Sequence, residues 1–199
     1  MEFISPHPQP FVKPNSRGQL PHLYKPYGTY FITPRLFDAI LPRKPVAPLA
    51  PDADDIEPED LMRDIDPPIT LGSCALGQHA IATMAQDALL HFEGIRYELR
   101  AWCVMPNHAH IVFQAIDPWN PGTIMKGWKG YTARRANQLL HRHGHFWEQE
   151  SFDHLIRSPR SLTKFVLYTE HNPSAAHLCA VPEDWPYSSR RHFGNRFTH

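Results

Sequence analysis

Three cysteines in 199 residues are too few for a disulfide frame. Cys74, Cys103 and Cys179 are odd in number and widely spaced, which suits reduced thiols rather than a cross-linked fold or a cysteine-built zinc cluster. No apolar run reaches the roughly 20 residues of a membrane-spanning helix. The opening Met1-Glu2-Phe3-Ile4-Ser5-Pro6 lacks the charged-then-apolar layout of a secretory leader. The expected setting is cytoplasmic, with no membrane partner. Net charge is missing too: 20 Lys and Arg face 20 Asp and Glu, which argues weakly against a nucleic-acid partner.

The distribution of charge changes that. Residues 1–95 carry 7 Lys and Arg against 12 Asp and Glu, whereas residues 96–199 carry 13 against 8, together with ten of the 14 histidines. Most of the acid lies between Asp52 and Asp66, where eight carboxylates face the single Arg63. The neutral total therefore conceals a basic C-terminal part and an acidic segment. At 42% hydrophobic, the chain can bury a core and fits one domain with extensions.

Residues 1–26 hold six prolines and no apolar period, and read as an extended arm. Tyr27 to Leu36 reads as a first strand ending near Thr33, before Pro34. Residues 42–68 bring seven more prolines and the acidic run. They read as an irregular insertion, extending to about residue 75, with a short helix near Pro58 to Arg63. From Gly77 to Phe92, Ile81, Met84, Ala85, Ala88, Leu89 and Phe92 recur at three and four, the period of an amphipathic helix closed by Gly94.

Strands are expected over Ile95 to Val104 and His108 to Ala115, turning at Met105-Pro106-Asn107. A second helix spans Thr123 to His143 and a fourth strand Phe152 to Arg157. Ser161 is expected to cap a third helix that Pro173 ends or kinks. The order β-α-β-β-α-β-α suits an α+β, ferredoxin-like antiparallel sheet covered by helices on one side. Residues 27–190 would form this domain and residues 191–199 a tail.

The stretch from Trp102 to Phe113 carries the chemistry. Side chains alternate across a strand, so His108 and His110 share one face while Ala109, Ile111 and Phe113 face the other. Two adjacent imidazoles can share a metal ion, although a polar outer strand face accounts for the same spacing. On the third helix, Tyr168 and Asn172 are one turn apart at the edge of the apolar arc of Leu162, Phe165, Val166 and Thr169. By pattern alone Tyr168 is usually a core-edge aromatic and Asn172 commonly a helix C-cap. Lys164, one turn earlier, is either a solvated lysine or a neighbour of the tyrosine. His141, His143 and His145 follow a helix across a glycine and read as a basic loop.

Together these pieces resemble the single-tyrosine HUH transposases, and among them the REP-associated tyrosine transposases of the IS200-like superfamily. Tyr30-Phe31-Ile32-Thr33 with Arg35-Leu36 is similar to the opening strand of that family, and Tyr97 to His110 to its HUH hairpin. Trp128 to Ala133 resembles the second helix, Phe146 to His154 with Ile156-Arg157 the following strand, Tyr168 to Pro173 the catalytic helix, and Trp185 to Ser189 the tail motif. The resemblance covers roughly Tyr27 to Arg190. Pro34, His177 and the acidic insertion depart from it. The family often has a tyrosine where Phe152 stands, which leaves Tyr168 as the better nucleophile.

The resemblance implies that Tyr168 attacks DNA and that His108 and His110 bind a divalent cation, with Asn172 as third ligand. Nitrogen with amide oxygen suits Mn²⁺ or Mg²⁺ better than a closed zinc site. Lys164, if close, would favour the phenolate. The implied partner is single-stranded DNA bearing a hairpin repeat, which would associate the protein with the nucleoid; monomer and homodimer both remain open. Arg134, Arg135, Arg142, Arg157, Arg190 and Arg191 could contact phosphates, and Trp128, Tyr131 and Trp185 could stack on bases, with surface charge and core packing as the plain alternatives. Two other functions stay in view: a non-catalytic hairpin-binding protein and a histidine-dependent hydrolase of small phosphoesters.

Overall fold

The computed structural model describes residues 11–13, 22–39, 56–63 and 65–194. Most of the expected arm, residues 42–55 of the insertion and the end of the tail lie outside the described residues. Within the arm, β1 (Phe11–Lys13) and β2 (His22–Tyr24) pair antiparallel, a short ladder where only an extended segment was expected.

The main unit runs β3 (Thr29–Thr33), α1 (Pro58–Met62), α2 (His79–Leu90), β4 (Tyr97–Val104), β5 (Ala109–Ala115), α3 (Pro121–Leu139), β6 (Phe152–Ile156), α4 (Pro159–Ala175) and α5 (Ser189–Phe193). The four-stranded sheet has the order β4-β5-β3-β6, every neighbour antiparallel. Setting α1 and α5 aside, the first strand of the unit lies between the third and fourth, and the second lies at the edge. That is the expected α+β, ferredoxin-like arrangement, with β6 in the place predicted for the fourth strand.

Helices cover both faces of this sheet, not one. On one face Ala109, Ile111 and Phe113 of β5 pack with Ile81, Ala85 and Leu89 of α2 and with Ile124 and Trp128 of α3. On the other, Phe31, Ala101 and Val112 pack with Phe165 and Val166 of α4 and Met62 of α1. The physical reason lies in β3 and β5: apart from their ends, nearly every residue on both faces is buried, so neither face can stay wet. The Phe31 and Phe165 rings lie 4.8 Å apart and pin α4 to the sheet.

Two helix boundaries differ from the sequence reading. The cap of α4 is Ser158, whose hydroxyl accepts from the Ser161 amide, and Pro159 opens the helix where its missing N–H costs nothing. Pro173 does not end α4, which continues to Ala175. Asn120 caps α3 through the Thr123 amide, again just before a proline, and the helix stops at Leu139 rather than His143. No helix among the described residues is long and apolar enough to cross a membrane.

Candidate active site

The β4–β5 turn is closed by the Met105 amide donating to the His108 carbonyl (2.9 Å); His108 bridges Arg35 just before β5, and His110 is the second residue of that strand. His108 and His110 are buried, with their Nε2 atoms 3.1 Å apart. His110 stacks on Phe31 at 5.5 Å and meets the edge of Tyr168 at 5.3 Å. Tyr168 itself is half-buried on α4.

The outer nitrogens are held. Asn107 donates through Nδ2 to the carbonyls of Pro68 (2.8 Å) and Leu71 (2.9 Å), which fixes its amide and leaves Oδ1 as an acceptor. His108 Nδ1 lies 2.8 Å from that oxygen and must carry the hydrogen, so Nε2 presents a lone pair inward. His110 Nδ1 lies 2.9 Å from the buried Thr33 hydroxyl, which can accept from it in the same way. With His110 in that tautomer, two inward lone pairs 3.1 Å apart repel unless something positive lies between them. For metal–nitrogen bonds of about 2.1 Å, adjacent ligands of an octahedral ion sit about 3.0 Å apart, so the pair fits a divalent cation.

A third donor comes from a part of the chain no spacing rule connects to the histidines. Asp66 Oδ2 lies 3.4 Å from His110 Nε2 and accepts the hydrogen of the Tyr168 hydroxyl. Asp66, His108 and His110 bring one ligand atom each to within 4.8 Å of one another. Asp66 Oδ1 is buried and has no hydrogen-bond partner among the described residues, an unmet acceptor that a cation would satisfy. In sequence, Asp66 is only one of eight carboxylates in the acidic run; its one local mark is the Pro67-Pro68 pair that follows.

Charge and burial act on these groups in opposite ways. Burial pushes the Asp66 carboxyl up, but the two histidines and the tyrosine hydroxyl outweigh it and bring it down to about 2. Burial pushes His108 down to about 3, against the pull of Asp66. Burial first, then the Asp66 charge and hydrogen bond, raise the Tyr168 phenol well above its ordinary value.

Lys164 lines the same groove of about 290 Å³ as Tyr168 and Asn172, with Glu57, Pro58 and Glu59 on its other side. Its ammonium is 2.6 Å from Glu57, so the expected help to the phenolate is offset by a carboxylate from the insertion. Asn172 is half-buried in that groove, and its carbonyl accepts from the Ala176 amide near the end of α4.

The remaining predicted contacts divide. Trp128 is 5% exposed and donates its indole hydrogen to the Ala85 carbonyl, which makes it a core residue and corrects the idea of a base-stacking ring. Tyr131 is exposed, and Trp185 is half-buried with its indole on the Val104 carbonyl. Arg134 and Arg142 line a groove of about 610 Å³ with His141 and His143 at the end of α3, while Arg135 bonds Gln138 on the surface. Arg190 is held by Glu183 (2.7 Å) and faces Glu170 (3.5 Å), a structural pairing; Arg157 is half-buried and Arg191 exposed.

Residues 83–168 match the family model for Transposase IS200 like, a segment that contains both histidines and ends on the tyrosine. The matched segment is less than half of the chain. A Haemophilus influenzae protein provisionally named REP-associated tyrosine transposase is 26% identical over 103 residues, covering 47% of this chain and 58% of that protein, so the likeness spans little more than half of the relative. The fold is also that of a REP-associated tyrosine transposase solved bound to a REP hairpin, with a TM-score of 0.57, 18% identity and coverage of 88% of this chain and 84% of that one.

Proposed function

We propose that this IS200-like domain, over residues 27–190, is a metal-dependent nuclease and strand transferase for single-stranded DNA carrying hairpin repeats, with Tyr168 as nucleophile. The observation that carries the reading is the convergence of His108, just before β5, His110 on β5 and Tyr168 on α4 on one buried point beside a groove. A small-phosphoester hydrolase would leave Tyr168 without a task. A DNA substrate associates the protein with the nucleoid.

His108 and His110 would hold Mn²⁺ or Mg²⁺, with the Asn172 amide oxygen one turn beyond Tyr168 as a further donor. When bound, the cation supplies Lewis-acid polarisation of a phosphate. Tyr168 Oη attacks phosphorus in line with the departing 3′-oxygen: the P–Oη bond forms, the P–O3′ bond breaks, and the 3′-oxygen leaves as a hydroxyl after taking a proton from solvent. The phenolic hydrogen already faces Asp66 and leaves along that hydrogen bond to water. Because the 5′-phosphotyrosine conserves the energy of the broken diester, attack by another 3′-hydroxyl rejoins the strand without ATP. Arg134, Arg135, Arg142, Arg157 and Arg191 supply candidate phosphate contacts, and Tyr131 and Trp185 candidate stacking rings.

The tie between the Tyr168 hydroxyl and Asp66 favours one second reading, a hairpin-binding protein that no longer cuts. Incubation with single-stranded hairpin repeats and Mn²⁺ separates the two. A denaturation-stable protein–DNA adduct mapping to Tyr168 supports the transferase. Hairpin binding without any adduct leaves the binding module, and an adduct on another tyrosine removes Tyr168 from its role.

A further inference from the structure

We infer that Asp66, contributed by the acidic insertion, is a protein ligand of the divalent cation, so that the centre in this chain adds a carboxylate to the two imidazoles. The inference rests on the metal reading proposed above and adds to it a residue from outside the segment that matches the family.

The first support is position. Asp66 Oδ2 lies 3.4 Å from His110 Nε2, and its donor atom belongs to a set of three within 4.8 Å. A shift of a few tenths of an ångström would bring that separation to the ~3.0 Å of adjacent ligands on one ion. The second is the orphaned Oδ1. A carboxylate with one oxygen buried and unmet among the described residues has a strong acceptor to satisfy, and a cation between it and the imidazoles meets that need.

The third support is that the segment is anchored on both sides of Asp66. Before it, Met62 and Ile65 are buried in the core beneath α4, and Arg35 Nη1 donates to the Ile65 carbonyl (2.8 Å). The same guanidinium pairs with Glu148 through Nε (2.9 Å) and Nη2 (2.8 Å). After it, Asn107 Nδ2 holds the carbonyls of Pro68 and Leu71. Asn107 is also the residue that fixes the His108 tautomer, so one amide aligns a ligand at the entry to β5 and the segment that carries Asp66. Such outer contacts orient ligands and raise metal affinity.

A carboxylate in this place has two consequences. It makes the site harder than an imidazole-and-amide set, favouring Mn²⁺ and Mg²⁺. It also places the insertion in the metal centre, giving the acidic run a purpose beyond solvation.

The experiment is Mn²⁺ titration of the full chain by calorimetry, with no DNA present. The variants are His108→Ala/His110→Ala, Asp66→Asn and, as a second handle on the same position, Asp66→Cys. The double histidine variant is expected to lose binding, and Asp66→Asn to bind at least tenfold more weakly. Asp66→Cys titrated with Cd²⁺ is expected to show a thiolate-to-metal absorption band absent from the wild type; this reads ligation directly even where Asp66→Asn folds poorly. Loss of binding in the histidine variant with unchanged affinity in Asp66→Asn and no such band overturns the inference and leaves the histidine site standing. Tighter hairpin binding by Asp66→Asn at unchanged Mn²⁺ affinity overturns it in favour of a carboxylate that blocks the phosphate position. A wild type that binds no Mn²⁺ removes the metal reading and the inference together.

Discussion

Tyr168 on α4 donates its hydroxyl hydrogen to Asp66, a residue 102 positions earlier in the chain. The contact joins the proposed nucleophile to the segment that carries the acidic run. It holds the phenol protonated and defines where its oxygen points. Tyr168→Phe removes that oxygen and little else, since the ring still packs against Phe31 and His110. The expected outcome is complete loss of the DNA adduct with hairpin affinity within about twofold of wild type. Stability should fall by about 1.5–3 kcal/mol for the lost hydrogen bond to a charged group. Gel analysis of adducts beside a hairpin titration checks both; an adduct that survives removes Tyr168 as nucleophile.

A second prediction separates arginines that face solvent from arginines that hold the fold. Arg134 is exposed at the end of α3, whereas Arg190 is tied to Glu183 and Glu170. Arg134→Ala should leave the melting temperature unchanged and lower the slope of log affinity against log salt by about 1. Arg190→Ala should instead destabilise the protein, because Glu170 is buried and its carboxyl is already pushed up by burial. Hairpin titrations across a salt series, with thermal melts, test the pair. An unchanged salt slope for Arg134→Ala moves the DNA path away from α3.

The sheet and its three long helices were legible because local pattern decides them: period-two strands, the Pro-Asn turn, and apolar stripes at three and four. His108, His110 and Tyr168 were legible for the same reason, the histidines in the extended chain entering β5 and Tyr168 on a helix, where local geometry fixes direction. Asp66 was not. It lies in irregular chain, and its place depends on Arg35 and Asn107, which reach it from distant positions. Trp128 shows the opposite limit. Its spacing on α3 is the same whether it stacks on a base or fills the core, and only the packing of α2 against α3 puts its ring inside. The helix count on each face escaped a strand-by-strand reading because burial of both faces of β3 and β5 is a tertiary property.

Arg35 and Glu148 form a buried pair, with side chains 10% and 6% exposed, that also supports the Ile65 carbonyl. Removing one partner leaves the other charge buried without this pairing. Arg35→Ala should cost about 3 kcal/mol in unfolding free energy, whereas Arg35→Met with Glu148→Met together should recover most of that loss. Urea melts of the two variants and the wild type measure it. If the double variant is as damaged as the single one, the pair is needed for geometry rather than for charge balance.

Lys129 offers a test on the alkaline side. Its ammonium donates to the carbonyls of Glu148 (2.6 Å) and Gln149 (3.1 Å) and to the Ser151 hydroxyl (3.1 Å). Burial pushes it down to about 8, against the charges of Glu148 and Glu150. Between pH 8 and its ordinary value near 10.5 the unfolded chain binds more proton than the folded one, so stability rises with pH in that window. Relative to Lys129→Met, the wild type should gain roughly 1 kcal/mol from pH 8 to 9.5, allowing for solvent screening. Chemical melts at three pH values read this difference; a difference that falls with pH reverses the assignment.

Metal removal gives the last prediction. A cation that binds the folded chain and not the unfolded one stabilises it by RT ln(1 + [L]/Kd), about 2.7 kcal/mol at one hundred times Kd. For a chain of this size each kcal/mol is worth about 2–4 °C. Mn²⁺ in that excess should therefore raise the melting temperature by roughly 5–10 °C, and a chelator should return it to the metal-free value. In His108→Ala/His110→Ala the rise should vanish, since the two Nε2 atoms 3.1 Å apart are the base of the site. Thermal scans of both proteins with Mn²⁺ and then with chelator decide it. A rise that persists in the double variant would place the stabilising ion elsewhere on the protein, away from Tyr168.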